Sequence, residues 1–284
     1  MGLMGLMGLK WNTANCDERI KAMNVFTYKE MLLAAVFFSL TIFQNAAFAQ
    51  GQQKNEPFSF TAESVISRID RNLSSESAII VSSMKIHGLR GTRSVKSKTW
   101  VQGQEKSFTE FLSPAREKGI KMLKLDDQLW TYYPKADRIV KISGHLLRDS
   151  LMGSDLSFED MMEDAKLLDV YDAEIASKST LHGKEVIVLA LKAKRSDAAY
   201  QNRKIWVDGK RYVPVQEELY SSSGKLLKKV EMLEHRKIGN RWYPVRVKFK
   251  DMLKKGEGTE FIVHEINFDA QIDRAKFQKS ALRR

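Results

Sequence analysis

The chain has 284 residues with 47 basic and 35 acidic side chains, a formal charge of +12, five histidines and one cysteine. Removing the four basic and three acidic residues of 1–49 still leaves +11 on the rest. The basic side chains concentrate at 225–229, 246–250 and Lys254-Lys255; a nucleic-acid site would want aromatic interleaving plus a recognisable module, no such module appears, and no nucleic-acid partner is expected. Such a surface meets anionic lipid head groups or an acidic protein, or is simply a solvated sheet face.

Residues 31–43 are an apolar run of signal-peptide length, and Ala47-Phe48-Ala49 ahead of Gln50 forms a small-residue cleavage site. The alternative, an uncleaved anchor over 31–49, meets Gln44 and Asn45 where a span needs apolar residues. The preceding MGLMGLMGL repeat with Asp17, Glu18, Arg19 and Lys21 is a poor n-region, so Met23 is the better start. Cys16 lies in the part expected to be removed, which leaves no thiol for disulfides, zinc or nucleophilic chemistry. Gln50 stands where a lipid anchor would need cysteine. The expectation is a soluble periplasmic domain over 50–284, with 1–49 a signal peptide behind a misassigned start.

After a polar lead-in, Thr61 reads as an N-cap, with Val65, Ile66, Ile69 and Leu73 on one helical face and Arg68, Asp70 and Arg71 on the other. Strands follow at 78–87, 93–102, 106–112, 120–125, 129–133 and 138–142, spaced closely enough to be antiparallel, with Asp126-Asp127-Gln128 as a hairpin turn. Residues 144–153 then carry Leu146, Leu147, Leu151 and Met152 between Gly144 and Gly153, too apolar for an ordinary surface loop. They either close over a cavity as a lid or complete a core. Ser157 caps a short helix over 157–162. Further strands are expected at 166–176, 185–193, 203–207, 213–221, 225–235, 242–252 and 259–268, with a helical turn at 273–277. In 242–252, Tyr243, Val245, Val247 and Phe249 alternate with Arg246, Lys248 and Lys250, giving one apolar and one wet face.

The tally is a mainly β, α+β single domain: meandering antiparallel strands that close into a barrel or curl into an open half-barrel, with the leading helix on the concave side. No His-Glu-x-x-His helix, nucleophile elbow or phosphate loop occurs. The acidic group Asp155, Glu159, Asp160, Glu163 and Asp164 fits a helix N-terminus better than a metal or acid/base site. No catalytic residue, metal or cofactor is expected, although a hydrolase with a dispersed site stays open.

The segments Phe111-Leu112-Ser113-Pro114-Ala115-Arg116-Glu117-Lys118-Gly119, Leu129-Trp130-x-Tyr132-x-Pro134, Met152-Gly153-Ser154-Asp155-x-Ser157-x-Glu159-Asp160, Trp206-Val207-Asp208 and Arg241-Trp242-Tyr243-Pro244 occur in this order. Over about residues 60–277 the chain resembles the LolA-like outer-membrane lipoprotein-sorting family. The resemblance implies an unclosed antiparallel barrel, roofed by helices, that carries acyl chains of lipoproteins or lipids between an inner-membrane donor and an outer-membrane acceptor as a monomer, without catalysis and with transient membrane-surface contact. Arg116 and Arg148 are candidates for the arginine that latches the lid. Residues expected to line or close the cavity are Leu125, Trp130, Tyr132, Leu146, Leu147, Leu151, Met152, Phe158, Met161, Tyr243, Val245, Val247 and Phe249. An envelope sensor binding lipid or an outer-membrane protein segment is the alternative.

Overall fold

The computed structural model describes residues 60–89, 91–162 and 166–284. The signal segment and its cleavage site, Met23, Cys16, the lead-in from Gln50, and Glu163 and Asp164 lie outside the described residues. Thirteen strands form one sheet: β1 (Ser77–Gly88), β2 (Gly91–Gln102), β3 (Lys106–Ser113), β4 (Lys121–Leu125), β5 (Gln128–Tyr133), β6 (Arg138–Ile142), β7 (Tyr171–Leu181), β8 (Lys184–Ala193), β9 (Asn202–Asp208), β10 (Pro214–Tyr220), β11 (Leu226–Ile238), β12 (Arg241–Asp251) and β13 (Gly258–Phe268). Their order is β6-β5-β4-β3-β2-β1-β13-β12-β11-β10-β9-β8-β7. Every neighbouring pair is antiparallel. The sheet is an open half-barrel with β6 and β7 as its two edges.

This order has one topological consequence. Consecutive strands are neighbours everywhere except from β6 to β7, so the connection from Ile142 to Tyr171 joins one edge of the sheet to the other. A chain making that journey crosses a face of the sheet, and its apolar content identifies which one.

Directly paired residues share a face. Val95, Met84, Phe261 and Val247 are linked in this way across β2, β1, β13 and β12, which defines an apolar inner face. At one end of it lies α1 (Ala62–Leu73), started by a capping box in which Thr61 and Ser64 exchange hydrogen bonds. Its Val65, Ile66 and Ile69 are buried against Tyr171, Ile187, Leu189, Leu191, Ile205 and Val207 of β7–β9. At the other end, Leu151, Leu156 and Phe158 of the crossing segment are buried against Met84, Ile86, Val95, Phe111, Met122, Leu129 and Ile142. The opposite, outer face is covered over β3–β5, where Phe277, Ala281 and Leu282 of two C-terminal helical turns pack on Phe108, Leu123 and Trp130.

One stretch differs from the sequence expectation. Residues 166–176 are not a single strand: Leu167–Val170 is a helical turn, α3, and β7 begins at Tyr171 and runs on to Leu181. Leu167, Leu168 and Val170 are apolar because they pack beside α1, whereas the outer half of β7 is an exposed edge without apolar alternation. The periodicity was therefore misleading at both ends.

Face assignment gives a test. Val247 is buried among Tyr200, Leu219 and Val230, while Lys248 points to the outer face. Val247→Asp places an unpaired carboxylate in that cluster and is expected to cost about 4 kcal/mol or more, whereas Lys248→Asp stays within about 0.5 kcal/mol, as read by urea unfolding.

Candidate functional site

A partly apolar cavity lies on the inner face beside α1. It has a volume of about 380 Å³, with Ala78, Ile80, Val101, Ile266 and Phe268 from β1, β2 and β13, Tyr243 from β12, Ile69 and Leu73 from α1, and Leu167 from α3 around it. Tyr243 meets Phe268 edge to face at 5.5 Å between ring centroids, which fixes one wall. Asp70, Lys166 and Glu217 add charge to the lining. Burial raises the Asp70 carboxyl above its ordinary value, Lys166 drawing it down and Asp169 pushing it further up.

Along the same strands, towards Ile86 and Val95, the crossing segment covers the inner face. Gly144–Arg148 and Leu151–Gly153 are helical turns, and α2 (Phe158–Met162) follows. The Ser157 hydroxyl accepts from the Asp160 amide at 3.2 Å, and the Asp160 carboxylate accepts from the Ser157 amide at 2.6 Å, so the expected cap is present. Gly144, Met152 and Gly153 have positive φ of 58°, 52° and 67°. For Met152 this is a strained backbone, and it persists only because its surroundings hold it there.

Those surroundings are polar latches from widely separated strands. Arg93 on β2 donates to the Met152 carbonyl and, at 3.3 Å, to Glu117. A Cβ on Gly153 would meet the Arg93 guanidinium at 3.2 Å, which that flexible side chain can relieve by a small shift, so it is the positive φ that favours glycine there. Lys254 donates to the Ser154 carbonyl at 2.6 Å and to the Ser150 hydroxyl. The buried Asp155 carboxylate accepts from the Asp251 amide at 3.0 Å and the Thr259 hydroxyl at 2.8 Å. Lys124 on β4 reaches the Met162 carbonyl at 3.2 Å.

The fifth latch is a buried ion pair, Lys228 on β11 with Asp160 on α2. Burial alone would raise the Asp160 carboxyl. The Lys228 ammonium and its hydrogen bond, the Ser157 amide and the Tyr200 hydroxyl at 2.7 Å outweigh burial and hold the carboxyl below the usual range.

The thirteen residues expected at the site divide into three groups. Leu151 and Phe158 are buried in the cluster under the segment, with Leu146, Leu147, Met152 and Met161 half-buried around it. They fill space on the inner face rather than line the cavity. Tyr243 does line the cavity, Val245 and Val247 are buried on the same strand, and Phe249 packs between two inner clusters. Leu125, Trp130 and Tyr132 are a correction: they lie on the outer face with Phe108 and Leu123, under the C-terminal turns. The parity of β4 and β5 sends Met122 and Leu129 inward instead, and aromatic size gave no information about side. The arginine that bonds the backbone of the segment is Arg93, while of the two candidates Arg148 is exposed and Arg116 faces Glu117 at 4.0 Å. Ile80, Val101, Ile266 and Phe268 were missed, although the alternation of their strands could have found them.

A family model described only as an uncharacterized protein matches residues 103–284. The chain belongs to that family. Among solved structures, a DUF1329 family protein from Desulfovibrio piger superposes with a TM-score of 0.72 at 23% identity, over 78% of this chain and 97% of that one. A domain described as an outer-membrane lipoprotein-sorting protein from Vibrio parahaemolyticus gives 0.71 at 20%, over 79% and 98%. A LolA superfamily protein from Nitrosomonas europaea gives 0.66 at 22%, over 78% and 99%. No curated protein matches the chain. The fold is LolA-like, as the sequence resemblance implied. Among the described residues, this LolA-like chain shows no cluster of metal-ligating side chains and no helix long and apolar enough to cross a membrane.

The buried pair makes two expectations for unfolding measurements. Lys228→Met leaves Asp160 charged without its counter-ion, only the Ser157 and Tyr200 hydrogen bonds remaining, and should cost about 3–5 kcal/mol, most of it recovered in Asp160→Asn/Lys228→Met. Because the folded carboxyl is held low, its contribution is present above the unfolded value of about 3.9 and lost as pH falls through the folded value. The deficit of Lys228→Met is therefore full at neutral pH and shrinks on acidification, as protonation removes the unpaired charge.

Proposed function

We propose that this chain is a non-enzymatic periplasmic carrier that holds acyl chains of lipoproteins or lipids on the inner face of its half-barrel. In this reading it takes them from an inner-membrane donor and gives them to an outer-membrane acceptor. The observation that carries it is a partly apolar cavity beside a separate apolar segment held down by polar latches. The apolar run 31–43 followed by Ala47-Phe48-Ala49, read as a cleaved signal, supports the location.

The cavity volume of about 380 Å³ is near the low end for ligand sites, which run from roughly 300 to 1,000 Å³. A long acyl chain therefore requires the crossing segment to move and release the space now filled by Leu151 and Phe158. Burying a sixteen-carbon chain yields on the order of 12 kcal/mol gross. Part of this is offset by displacing Leu146, Leu147, Leu151 and Met152 and by breaking the latches, so net affinity falls to a level that permits release. Hydrogen bonds from Arg93, Lys124 and Lys254 to backbone carbonyls suit such a cycle, since water replaces them when the segment lifts.

Protein purified from its native envelope should carry acyl species by mass spectrometry. Val101→Trp fills the cavity from β2 and is expected to weaken a fluorescent fatty acid by about tenfold, the equivalent of two displaced methylenes at ~0.8 kcal/mol each, with the thermal midpoint little changed. Unaltered affinity in a folded Val101→Trp variant would contradict the placement of the ligand.

A further inference from the structure

The turn between β3 and β4, which carries the Ser113-Pro114-Ala115-Arg116-Glu117-Lys118-Gly119 motif, has no part in holding an acyl chain. Its hydrogen bonds fold it tightly: the Glu117 and Lys118 amides both donate to the Pro114 carbonyl, at 3.0 and 2.9 Å, and the Gly119 amide donates to the Phe111 carbonyl at 2.9 Å. The result is an inversion of what charge would dictate. Glu117 is 6% exposed although it sits in a surface turn, whereas the Arg116 side chain beside it is 88% exposed.

Glu117 is incompletely satisfied in that position. Its Oε1 accepts from Arg93 at 3.3 Å and faces the Arg116 Nε at 4.0 Å. Its Oε2 is buried and has no hydrogen-bond partner among the described residues. A buried carboxylate oxygen left unpaired is costly, and native proteins rarely keep one without a use. Glu117 lines a cavity of about 390 Å³ together with Arg93, Arg116 and Tyr133, and the cavity is completed by Ile120 and Met152. Ile120 and Met152 also belong to the half-buried skirt of the cluster under the crossing segment. The cavity thus carries both charged and apolar side chains, and Ile120 and Met152 connect its lining to the cluster under the crossing segment.

We propose that this cavity is a head-group site for an acyl lipid bearing a phosphoethanolamine-type head. The proposal rests on the carrier reading and names its ligand more closely. The ammonium pairs with the Glu117 carboxylate, which turns its buried Oε2 towards the cavity to accept from it, and the phosphate meets the exposed Arg116 guanidinium, whose planar fork matches phosphate oxygens. A purely anionic head leaves Oε2 unpaired and brings negative charge beside it. A purely cationic head faces two guanidiniums. Only a head carrying both signs a few bonds apart fits the three side chains together. Ile120 and Met152 take the first carbons of the chain. The site also abuts the latch, because Arg93 joins Glu117 to the Met152 carbonyl.

The test uses the purified protein with short-chain dihexanoyl lipids below their micelle concentration, a fluorescent fatty acid, and free phosphoethanolamine. The ethanolamine lipid is expected to bind about tenfold more tightly than the glycerol-head phospholipid, as one charge-assisted hydrogen bond would give. Glu117→Gln brings that ratio to about one. Arg116→Gln, an exposed change that should not affect folding, weakens both phospholipids and leaves the fatty acid unaffected. Free phosphoethanolamine binds far more weakly than the lipid. Fatty-acid binding without any head-group preference in the wild type means that the pocket holds only water and overturns the proposal, while the carrier reading stands. Free phosphoethanolamine binding as tightly as the lipid overturns the lipid assignment. Binding of no acyl probe overturns the carrier reading and the head-group site with it.

Discussion

Among the described residues, an open sheet of thirteen strands presents an apolar inner face that no second sheet covers, and the rest of the structure answers that exposure. Two covers do it. α1 precedes the sheet and closes the β7–β9 end with Val65, Ile66 and Ile69. The other cover follows from topology: with β1 beside β13 in the middle, the chain must travel from edge strand β6 to edge strand β7, and it does so across the inner face. A connection on that route has to be apolar, which accounts for Leu151, Leu156 and Phe158 in what would otherwise be a surface loop.

The two covers are attached by different physics. α1 is a regular amphipathic helix fixed by close packing. The crossing segment packs as well, but it has helical turns rather than a long helix, and its attachments are charged and polar groups from β2, β4, β11 and the β12–β13 region. Several end on backbone carbonyls, so they fix the position of the segment with little dependence on its side chains. Each such charge-assisted bond is worth about 1.5–3 kcal/mol net, so several together hold the segment firmly, and the proposed cycle requires ligand binding to offset them. A positive φ at Met152 beside Gly153 places the strained point of the segment where Arg93 grips it.

Most of this architecture was legible in the sequence because it is periodic. The N-cap at Thr61, the alternation of 242–252, the strands on both sides and the apolar character of 144–153 all follow from local patterns. The side of the sheet was harder to read. Leu125, Trp130 and Tyr132 look like cavity residues by size, yet strand parity sends them to the outer face, where the C-terminal turns supply their partners. The latches were invisible for another reason. Arg93 and Met152, or Lys228 and Asp160, are brought together by sheet order across tens of residues, and no local signal marks one lysine or arginine among 47 as buried. Likewise Leu167, Leu168 and Val170 read as strand because apolar residues look alike whether they pack beside a helix or pair in a ladder.

The central claim is that the crossing segment moves while α1 and the sheet do not. Hydrogen–deuterium exchange with and without a saturating fatty acid measures this directly, because amides in 146–162 are protected only while the segment lies on the sheet. The account predicts faster exchange across 146–162 on loading, with unchanged or slower exchange in α1 and β1. Exchange in 146–162 that stays the same or slows while ligand is bound would contradict it, and would make the segment a fixed part of the core.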